Sequence, residues 1–370
     1  MNTTIRRLSR ILGILVLTSL AYAQESSINA STLIQDGDLY LGQGDCQLAQ
    51  YFFQEALKLD EVNTEAMVGK GRALACQGNH QLAAEEFSRA LGEDPENLSA
   101  YVQLSLAYMN QFVKDAIRFP NRLNDALTVI ERAESFAPRS PQVLNTKGVV
   151  LYQFGNLPEA RDTLVEAAEL ATQSDSDLTS AEQSRVLVNL GRTYRDTDEL
   201  ELAASTLRKA VMLNPTNATA RNNLGNVYFR LQPRNCYDAE YELAQAASLA
   251  PNSLSAVSQL AIVTFECGNV AASVRHFERA VGMDSAVLTP PLYTYLARAH
   301  MELGRFDDAV KRAQQGALLP PESAEAYYYL GLAYRSRANS GDLDAARRAF
   351  ERALEIDPEF QLAEEALSNL

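Results

Sequence analysis

The chain has 370 residues, of which 46% are hydrophobic and 22% are charged. Acidic residues outnumber basic ones by 47 to 33, which gives a formal net charge of −14 at pH 7. A surface this acidic repels nucleic acid and anionic lipid, so the composition excludes both as main partners.

The first 23 residues have a pattern of their own. Three basic residues precede a short apolar run, and a small-x-small triplet ends the segment: Arg6, Arg7, Arg10, residues 11–17 and Ala21-Tyr22-Ala23. The pattern predicts a secretory signal peptide over 1–23, followed by a short segment over 24–29. The apolar run is shorter than the span of about 20 residues that crosses a membrane. We therefore expect export to the periplasm or cell envelope. The alternative is an uncleaved signal anchor that tethers the protein to the inner membrane.

A pattern with a period of about 34 residues fills the rest of the chain. Its nine copies cover residues 30–63, 64–97, 98–140, 141–174, 184–217, 218–253, 254–287, 290–323 and 324–360. A fixed period of this length is typical of a solenoid, in which each unit buries its apolar face only against its neighbours.

Three positions in every copy hold small residues. The first lies in the first helix of each unit: Gly37, Gly71, Ser105, Gly148, Gly191, Gly225, Ala261, Ala297 and Gly331. The second lies near the start of the second helix: Ala49, Ala83, Ala126, Ala160, Ala203, Ala239, Ser273, Ala309 and Ala346. The third lies later in that helix: Ala56, Ala90, Ala133, Ala167, Ala210, Ala246, Ala280, Gly316 and Ala353. Closely packed helices require small residues where their backbones approach.

Aromatic residues and stop signals complete the pattern. The aromatic residues recur at the spacing of a helix face: Tyr40, Tyr108, Tyr194, Tyr228, Tyr334, Phe53, Phe87, Phe277 and Phe350. Proline closes second helices because it cannot continue a helix: Pro95, Pro138, Pro215, Pro251, Pro321 and Pro358. Glycine marks the turn inside a unit, where a positive φ is expected: Gly44, Gly78, Gly155, Gly268 and Gly304.

This combination resembles the tetratricopeptide repeat family over residues 30–360. The three small slots, the neighbouring aromatic residues and the closing proline are the signature of that family. The resemblance implies an all-α fold, a right-handed α-solenoid of helix–turn–helix repeats whose first helices line the concave face. Two copies depart from the pattern, because Thr264 and His300 replace the usual tyrosine, and the chain has no tryptophan.

Changes of length interrupt the period. The third copy carries extra residues around 110–120, which we expect to form a small lobe between its helices, and the ninth carries extra residues near 338–340. A polar break covers 173–183, in which Thr179 and Glu182 are predicted to form a capping box that starts the next helix early. Residues 361–370 are predicted to form a capping helix over the last open face.

Four cysteines fall at two matching places. Cys46 and Cys76 are 30 residues apart, and Cys236 and Cys267 are 31 apart. In each pair the first cysteine opens a second helix and the second closes the first helix of the next unit, so stacking brings the two side by side. Together with the export signal, this placement predicts the disulfides Cys46–Cys76 and Cys236–Cys267. The alternative is four buried free thiols.

Nothing in the sequence points to catalysis. The three histidines, His80, His276 and His300, fall in different copies, and none has a partner at the spacing of metal ligands. A nucleophile elbow, a Cys-x-x-Cys motif and a glycine-rich phosphate loop are all missing from the sequence. Because the repeats use almost the whole chain, we expect a protein that is not an enzyme and has no metal or cofactor.

The resemblance also directs the search for a binding surface. Peptide-binding members of the family use asparagine and basic residues of first helices to hold a ligand's backbone or terminal carboxylate. Residues of this kind, with Phe229 among them, occur in the fifth and sixth copies: Arg185, Asn189, Arg192, Arg195, Asn222, Asn223, Asn226, Phe229 and Arg230. Tyr295 and Arg298 of the eighth copy lie further along the same face. Tyr328, Tyr329 and Arg335 extend the same face. Each amide offers a donor and an acceptor to an extended backbone, and arginine adds charge-assisted bonds to a carboxylate. The alternative is that the arginines balance nearby acids such as Asp196 and Asp198.

The sequence thus predicts a protein–protein interaction scaffold of the cell envelope that binds an extended or C-terminal segment of another envelope protein on its concave face. Two alternatives stay open. The solenoid could dock folded partners during secretion, pilus or outer-membrane assembly, or it could be an accessory subunit of an envelope enzyme.

Overall fold

The computed structural model describes residues 29–283 and 289–370 of the chain. Within these residues it contains 19 α-helices and no strand, which confirms the predicted all-α class. None of these helices combines the length and the apolar character that crossing a bilayer requires. The predicted signal peptide, residues 1–23, lies outside the described part of the chain.

The helices belong to two compact units, of which the first ends at Phe154 and the second begins at Gly155. The first unit contains α1 Ala30–Gly42, α2 Cys46–Leu59, α3 Thr64–Cys76, α4 His80–Glu93, α5 Leu98–Lys114, α6 Arg122–Phe136 and α7 Pro141–Gln153. The second unit contains α8 Leu157–Ala171, α9 Ser180–Asp196, α10 Leu200–Leu213, α11 Ala218–Arg230, α12 Cys236–Leu249, α13 Leu254–Glu266, α14 Val270–Val281, α15 Pro290–Glu302, α16 Phe306–Ala317, α17 Ala324–Arg337, α18 Asp342–Ile356 and α19 Gln361–Ser368.

Within each unit the helices pack as consecutive hairpins. The two helices of a repeat contact each other, as α3 does with α4 and α11 does with α12, and the second helix then packs on the first helix of the next repeat. This order of contacts is that of a solenoid, in which each hairpin touches only its neighbours. Several first helices begin at an asparagine cap: the side chain of Asn97, for example, accepts a hydrogen bond from Ala100 N at 2.9 Å.

The small slots explain why the hairpins pack this closely. All 27 slot residues are buried. A Cβ atom added to Gly37 would lie 2.8 Å from the Phe53 ring, and one added to Gly191 would lie 2.6 Å from Leu207. These distances are too short for carbon atoms in contact, so the opposing helix occupies the space that a larger residue would need.

The predicted turns and helix ends are also present. The five turn glycines have φ between 69° at Gly304 and 85° at Gly268. This left-handed region is open to glycine because it has no Cβ. Second helices end at the residue before a proline, as α4 does with its C-cap at Asp94 and α18 with its C-cap at Asp357.

The changes of length have local solutions. Instead of a separate lobe, the extra residues of the third repeat extend α5 to Lys114 and then form a short turn that leads into α6. The capping box is present, because Thr179 and Glu182 bond to each other's backbone N–H groups and α9 starts early. The C-terminal helix α19 packs on α18 and buries Ala363 and Ala366, as a capping helix does.

Candidate binding face of the second unit

The first helices of the second unit form a continuous row. Helix α9 contacts α11, α11 contacts α13, α13 contacts α15, and α15 contacts α17. All predicted binding residues lie on these helices. We call the surface that α9, α11, α13, α15 and α17 share the first-helix face. Because the repeats keep one register, equivalent positions on neighbouring helices lie next to each other along this face.

The start of the face is polar. The Arg185 side chain is 70% exposed and lies 3.6 Å from the Glu182 carboxylate. Asn189 and Arg192 are half-buried, and both take part in interactions with neighbouring groups. Arg185 is therefore the most solvent-accessible cation that α9 brings to the face.

Arg195 joins α9 to α11. Its Nη1 donates to Asn223 Oδ1 at 2.9 Å, and its Nε and Nη2 donate to the Asp196 carboxylate at 2.7 and 3.0 Å. Asn223 is buried, and its Nδ2 donates to the Thr219 carbonyl at 2.9 Å. Both ends of the Asn223 amide are thus used inside the protein. Asn223 stabilises the helix pair and does not present a free amide to a ligand.

A second arginine closes the network. Arg230 donates to the Arg195 carbonyl at 3.0 Å and to Asp198 Oδ1 at 2.9 Å. Asn226 Nδ2 donates to the Asn222 carbonyl at 2.8 Å, whereas Asn222 Oδ1 is buried without a hydrogen-bond partner in the described part of the chain. The acids named as the alternative explanation for Arg195 and Arg230 do pair with them. This end of the face is therefore largely balanced in charge.

The middle of the face is aromatic. Phe229 packs on the core of the α12–α15 region, and the Arg234 guanidinium lies 4.6 Å above its ring. Tyr295 stacks on Phe277 with ring centroids 6.0 Å apart and meets Phe265 edge-on at 5.9 Å. These contacts hold Tyr295 rigidly at the boundary between the core and the surface.

Arg298 lies at the centre of this aromatic group. Its guanidinium carbon is 5.1 Å from the centroid of Phe265, 4.9 Å from that of Tyr295 and 5.3 Å from that of Tyr329. The nearest carboxylate is that of Glu266, at 3.8 Å, and no hydrogen bond from the guanidinium to any described residue is present. Three rings thus hold a partly exposed cation whose five N–H donors are unused.

Burial also affects Tyr329, one of the three rings around Arg298. Desolvation raises the pKa of the Tyr329 phenol, although the nearby Arg298 guanidinium lowers that pKa in part. The Tyr329 phenol is therefore protonated at neutral pH and can donate a hydrogen bond beside the Arg298 guanidinium. Both side chains can therefore donate hydrogen bonds to a ligand that carries oxygen acceptors.

Sequence reasoning named Tyr295, Tyr329 and Arg298 but missed the residues that complete the group. Phe265 and Glu266 were not singled out. The repeat register could have identified Phe265. It follows the small slot of α13 by four residues, just as Phe229 follows the small slot of α11 by four. A position that is aromatic in two successive first helices indicates a continuous aromatic surface.

The cysteines lie where the sequence placed them. Cys46 pairs with Cys76 in the first unit and Cys236 pairs with Cys267 in the second, each pair with a Cα–Cα distance of 5.8 Å. That distance is typical of disulfides. Each bridge ties the start of a second helix to the end of the next first helix, so both connect neighbouring repeats.

A metal site in the described part of the chain would need several ligating side chains close together. No group of three or more His, Cys, Asp or Glu residues there could hold a metal ion. His300 is buried, and its Nε2 lies 3.4 Å from Glu278, which also binds Arg312. This histidine belongs to a structural network between α14, α15 and α16.

Comparison with known proteins agrees with the repeat pattern. A family model described as tetratricopeptide repeat matches residues 35–97 and 296–360, and a second, described as TPR repeat, matches residues 191–232. The chain belongs to the tetratricopeptide repeat family. Members of this family are protein-interaction scaffolds, so a scaffold is the class of function that this tetratricopeptide repeat protein shares with them.

Two curated relatives match parts of this tetratricopeptide repeat protein. The anaphase-promoting complex subunit CDC16 of Saccharomyces cerevisiae is 31% identical over 140 residues, which are 38% of this chain and 16% of the relative. The Hsp70-Hsp90 organizing protein of Triticum aestivum is 34% identical over 96 residues, which are 25% of this chain and 16% of the relative. The chain therefore spans only about a sixth of the length of either relative.

Solved structures show the same fold. The APC/C hetero-tetramer Cut9–Hcn1 superposes with a TM-score of 0.56 at 15% identity, over 98% of this chain and 81% of that one. The human IFIT1 dimer with PPP-AAAA superposes with a TM-score of 0.52 at 17% identity, over 87% of this chain and 81% of that one. Both likenesses support the solenoid of tetratricopeptide repeats and speak to the fold alone.

Proposed function

We propose that this tetratricopeptide repeat protein is a non-catalytic scaffold of the cell envelope that binds an extended or C-terminal segment of another envelope protein. The segment lies along the first-helix face of the second unit. Its terminal or side-chain carboxylate binds Arg298, and its backbone passes over the polar end formed by α9 and α11.

The arginine within the aromatic group carries this proposal. Arg298 is held by three rings, and its donors form no hydrogen bond to a described residue. A guanidinium in this state can accept a carboxylate without first breaking a strong internal salt bridge. Arg195 and Arg230 differ, because their donors already bind Asp196, Asp198 and Asn223. Arg298 is thus the stronger candidate for the carboxylate site.

The polar end supports an extended ligand in a different way. The side-chain oxygen of Asn222, Oδ1, is buried and has no hydrogen-bond partner among the described residues. Arg185 is exposed on α9, at the start of the first-helix face. A buried acceptor without a partner is costly unless a ligand or water supplies a donor. A peptide N–H is such a donor, and it fits a backbone that runs from α9 towards α15.

The proposed location rests on two further observations. The first 23 residues have the pattern of a secretory signal peptide. The four cysteines form two pairs at disulfide distance, and disulfides persist in oxidising compartments such as the bacterial periplasm. Fusing residues 1–23 to a reporter that is active only after export tests the location. Retention of the reporter in the cytoplasm would contradict it.

The binding proposal is tested with peptides of defined chemistry. A fluorescein-labelled library of peptides with random C-terminal residues is measured by fluorescence polarisation, once as free acids and once as C-terminal amides. We expect the free acids to bind and the amides to lose at least about tenfold in affinity, the size of one charge-assisted contact. The variant Arg298→Gln should lose the same factor.

Arg348→Gln is the matched control, because Arg348 is an exposed arginine on the second helix α18 and off the first-helix face. Its affinity should equal that of the unmodified protein. An unchanged affinity of the Arg298→Gln variant would contradict the proposal, and equal binding of acids and amides would contradict a terminal carboxylate as the group that binds Arg298.

A further inference from the structure

A cleft of ≈390 Å³ lies in the second unit between α12 and the α13–α14 hairpin. Aromatic, polar and small apolar residues line it: Tyr237, Glu240, Tyr241, Ala244, Leu260, Thr264, Asn269, Ala272 and His276. The lining combines the apolar side chains of Ala244, Leu260 and Ala272 with the polar side chains of Glu240, Thr264, Asn269 and His276. The cleft is separate from the first-helix residues that hold Arg298.

One departure from the repeat pattern changes the lining of this cleft. The position three residues after the first small slot is a tyrosine in five repeats: Tyr40, Tyr108, Tyr194, Tyr228 and Tyr334. In the seventh repeat it is Thr264, which is much smaller. The equivalent cleft of the first unit, which Tyr108 lines, is also open at ≈420 Å³. Threonine therefore differs from tyrosine here by placing a short hydroxyl in the lining, not by creating the cleft.

The threonine also leaves a polar atom without a partner. Thr264 is only 1% exposed, and its hydroxyl makes no hydrogen bond within the described part of the chain. Buried side-chain hydroxyls nearly always have a partner, so an unpartnered one in the wall of a cleft indicates a missing ligand atom. A ligand with an N–H donor satisfies it.

The sixth repeat supplies two unusual aromatic walls. Tyr237 is 82% exposed and Tyr241 is 52% exposed, and they are four residues apart on α12, so both rings lie on one side of that helix. At the register position of Tyr237 the other eight repeats have no aromatic residue. Tyrosine rings this exposed are typical of interaction surfaces, because they bury a large area at low entropic cost.

A carboxylate lies between the two tyrosines in the sequence. Glu240 follows the small slot of α12 directly, where none of the other eight repeats has an acid. It is half-buried and forms no salt bridge with any residue that the structure describes. Burial raises the pKa of Glu240, and a hydrogen bond with the Asn269 side chain offsets this only in part. The anion is therefore poorly solvated and gains from a cation.

The other charged groups around the cleft do not neutralise Glu240. His276 lines the cleft, and burial together with Arg275 and Arg279 lowers its pKa, so its ring is neutral at pH 7. Arg279 donates to the Pro251 carbonyl at 2.8 Å, and Arg275 donates to the Ala271 carbonyl at 3.4 Å. Glu240 thus contributes the one charge of the cleft lining that has no counter-ion among the described residues.

We propose that this cleft binds the basic side chain, arginine or lysine, of a partner protein. The stem of such a side chain packs on the apolar side chains of Ala244, Leu260 and Ala272, as amphipathic stems do. Its charged head lies beside the tyrosine rings and the Glu240 carboxylate, and one N–H reaches the Thr264 hydroxyl. The acidic net charge of the chain favours a basic partner as well.

A disulfide fixes the geometry of the cleft. Cys236 directly precedes Tyr237, and its partner Cys267 lies between Thr264 and Asn269 in the sequence. The bridge therefore ties the aromatic wall on α12 to the end of α13. Binding sites that are held by their scaffold in this way lose less entropy when a ligand binds.

The test uses a small cation and its neutral isostere on the full chain. Saturation-transfer NMR titrations give the Kd of Nα-acetyl-arginine amide and of Nα-acetyl-citrulline amide, which has the same shape but no charge. Cellobiose, a neutral disaccharide, is titrated as a third probe because exposed tyrosines also suit sugars. We expect the arginine amide to bind at least about tenfold more tightly than the citrulline amide, and cellobiose not to bind.

Substitutions in the cleft test whether the arginine amide binds there. Glu240→Gln should lose at least about tenfold in affinity for the arginine amide, and Thr264→Tyr, which replaces the short hydroxyl with a ring, should weaken binding. Glu85→Gln is the control, because Glu85 lines the equivalent cleft of the first unit. Equal Kd values for the two amides, no binding of the arginine amide, binding of cellobiose in its place, or an unchanged Glu240→Gln variant would each overturn the proposal. Circular dichroism checks folding, and if Thr264→Tyr is unfolded, Glu240→Gln alone decides.

Discussion

Two equivalent clefts, one in each unit, show what the repeat pattern fixes and what it leaves open. In the first unit Tyr108 lines the cleft between α4 and the α5–α6 hairpin, and the Arg122 guanidinium lies 4.4 Å above its ring. In the second unit the register equivalents are Thr264 and Asn269. The first cleft thus contains its own cation on its own aromatic ring, whereas the second has aromatic walls, an acid and no cation.

Both clefts lie between hairpins of the same kind, whereas the residues that line them differ. Arg122 also pairs with Asp125 at 2.9 Å. Arg89 pairs with Glu86 at 2.8 Å, so both cations of the first cleft are paired within the protein. Glu240 in the second cleft has no such partner among the described residues. A repeat protein can therefore gain a site by changing a few lining residues without changing its core.

The largest expected effect is the loss of stability when an equivalent core residue is truncated in either unit. Phe87 and Leu243 are fully buried at equivalent positions in the two units. Phe87→Ala should lower the free energy of unfolding by about 3–5 kcal/mol and Leu243→Ala by about 2–5 kcal/mol, because each leaves a cavity. Urea unfolding followed by circular dichroism measures both. Met212→Ala, at an exposed position, is the control, and a loss there as large as in the core variants would contradict the packing described.

The disulfides give the next largest effect. Each closes a loop of about thirty residues, for which chain entropy predicts about 3–4 kcal/mol of stability. The double variants Cys46→Ala/Cys76→Ala and Cys236→Ala/Cys267→Ala should each lose this amount in urea unfolding. Only the second should also weaken binding of the arginine amide, because it frees the wall that carries Tyr237. Equal stability with and without reductant would show that the bridges do not form.

Exchanging the residues that distinguish the two clefts should have a moderate effect. Tyr108→Thr removes a ring that packs on the core and on Arg122, so it should cost about 1–2 kcal/mol, the usual range for such a change. It should also enlarge the first cleft. Thr264→Tyr should narrow the second cleft and leave stability within about 1 kcal/mol. Thermal melts measure the stability of both variants, and crystal structures measure the volume of the clefts. A Tyr108→Thr variant that is more stable than the unmodified protein would contradict the role of Tyr108 in the core and in binding Arg122.

The smallest effect concerns pH. Because burial raises the pKa of Glu240 above its unfolded value, this residue favours folding below the unfolded pKa, and that contribution is lost as pH rises through the folded pKa. At pH 7 Glu240→Gln should therefore be more stable than the unmodified protein, by less than about 1 kcal/mol because water still reaches part of the half-buried carboxylate. The difference should disappear near pH 4. The control Glu85→Gln should show no such trend, and a less stable Glu240→Gln variant at pH 7 would contradict an unpaired carboxylate.

The sequence was a good guide to the fold because the repeat constrains it nine times over. The small slots, the turn glycines and the capping box each follow from a local steric or hydrogen-bonding need, and the structure confirms them. The expected lobe around 110–120 was wrong. Its first residues continue the helical pattern of α5, and adding a turn to an existing helix is easier than nucleating a new one.

The binding face was harder to predict because side chains choose among several partners. The sequence grouped Arg192, Arg195 and Asn223 as ligand-binding residues, but it could not show that Asn223 uses both ends of its amide inside the protein. Nor could it show that three rings from separate helices surround Arg298. Such contacts depend on rotamers and distances between repeats, which a one-dimensional pattern does not contain.

The most direct test of a scaffold that binds through its first helices is site-specific photo-crosslinking of the full chain in its native host. A benzoylphenylalanine replaces Tyr295 on the first-helix face or, as the matched control, exposed Met212 on the second helix α10. The account predicts a crosslink from position 295 to an extended or C-terminal segment of an envelope protein, mapped by mass spectrometry, and no such product from position 212. Equal crosslinking at both positions, or crosslinks from 295 only to folded surfaces, would contradict it.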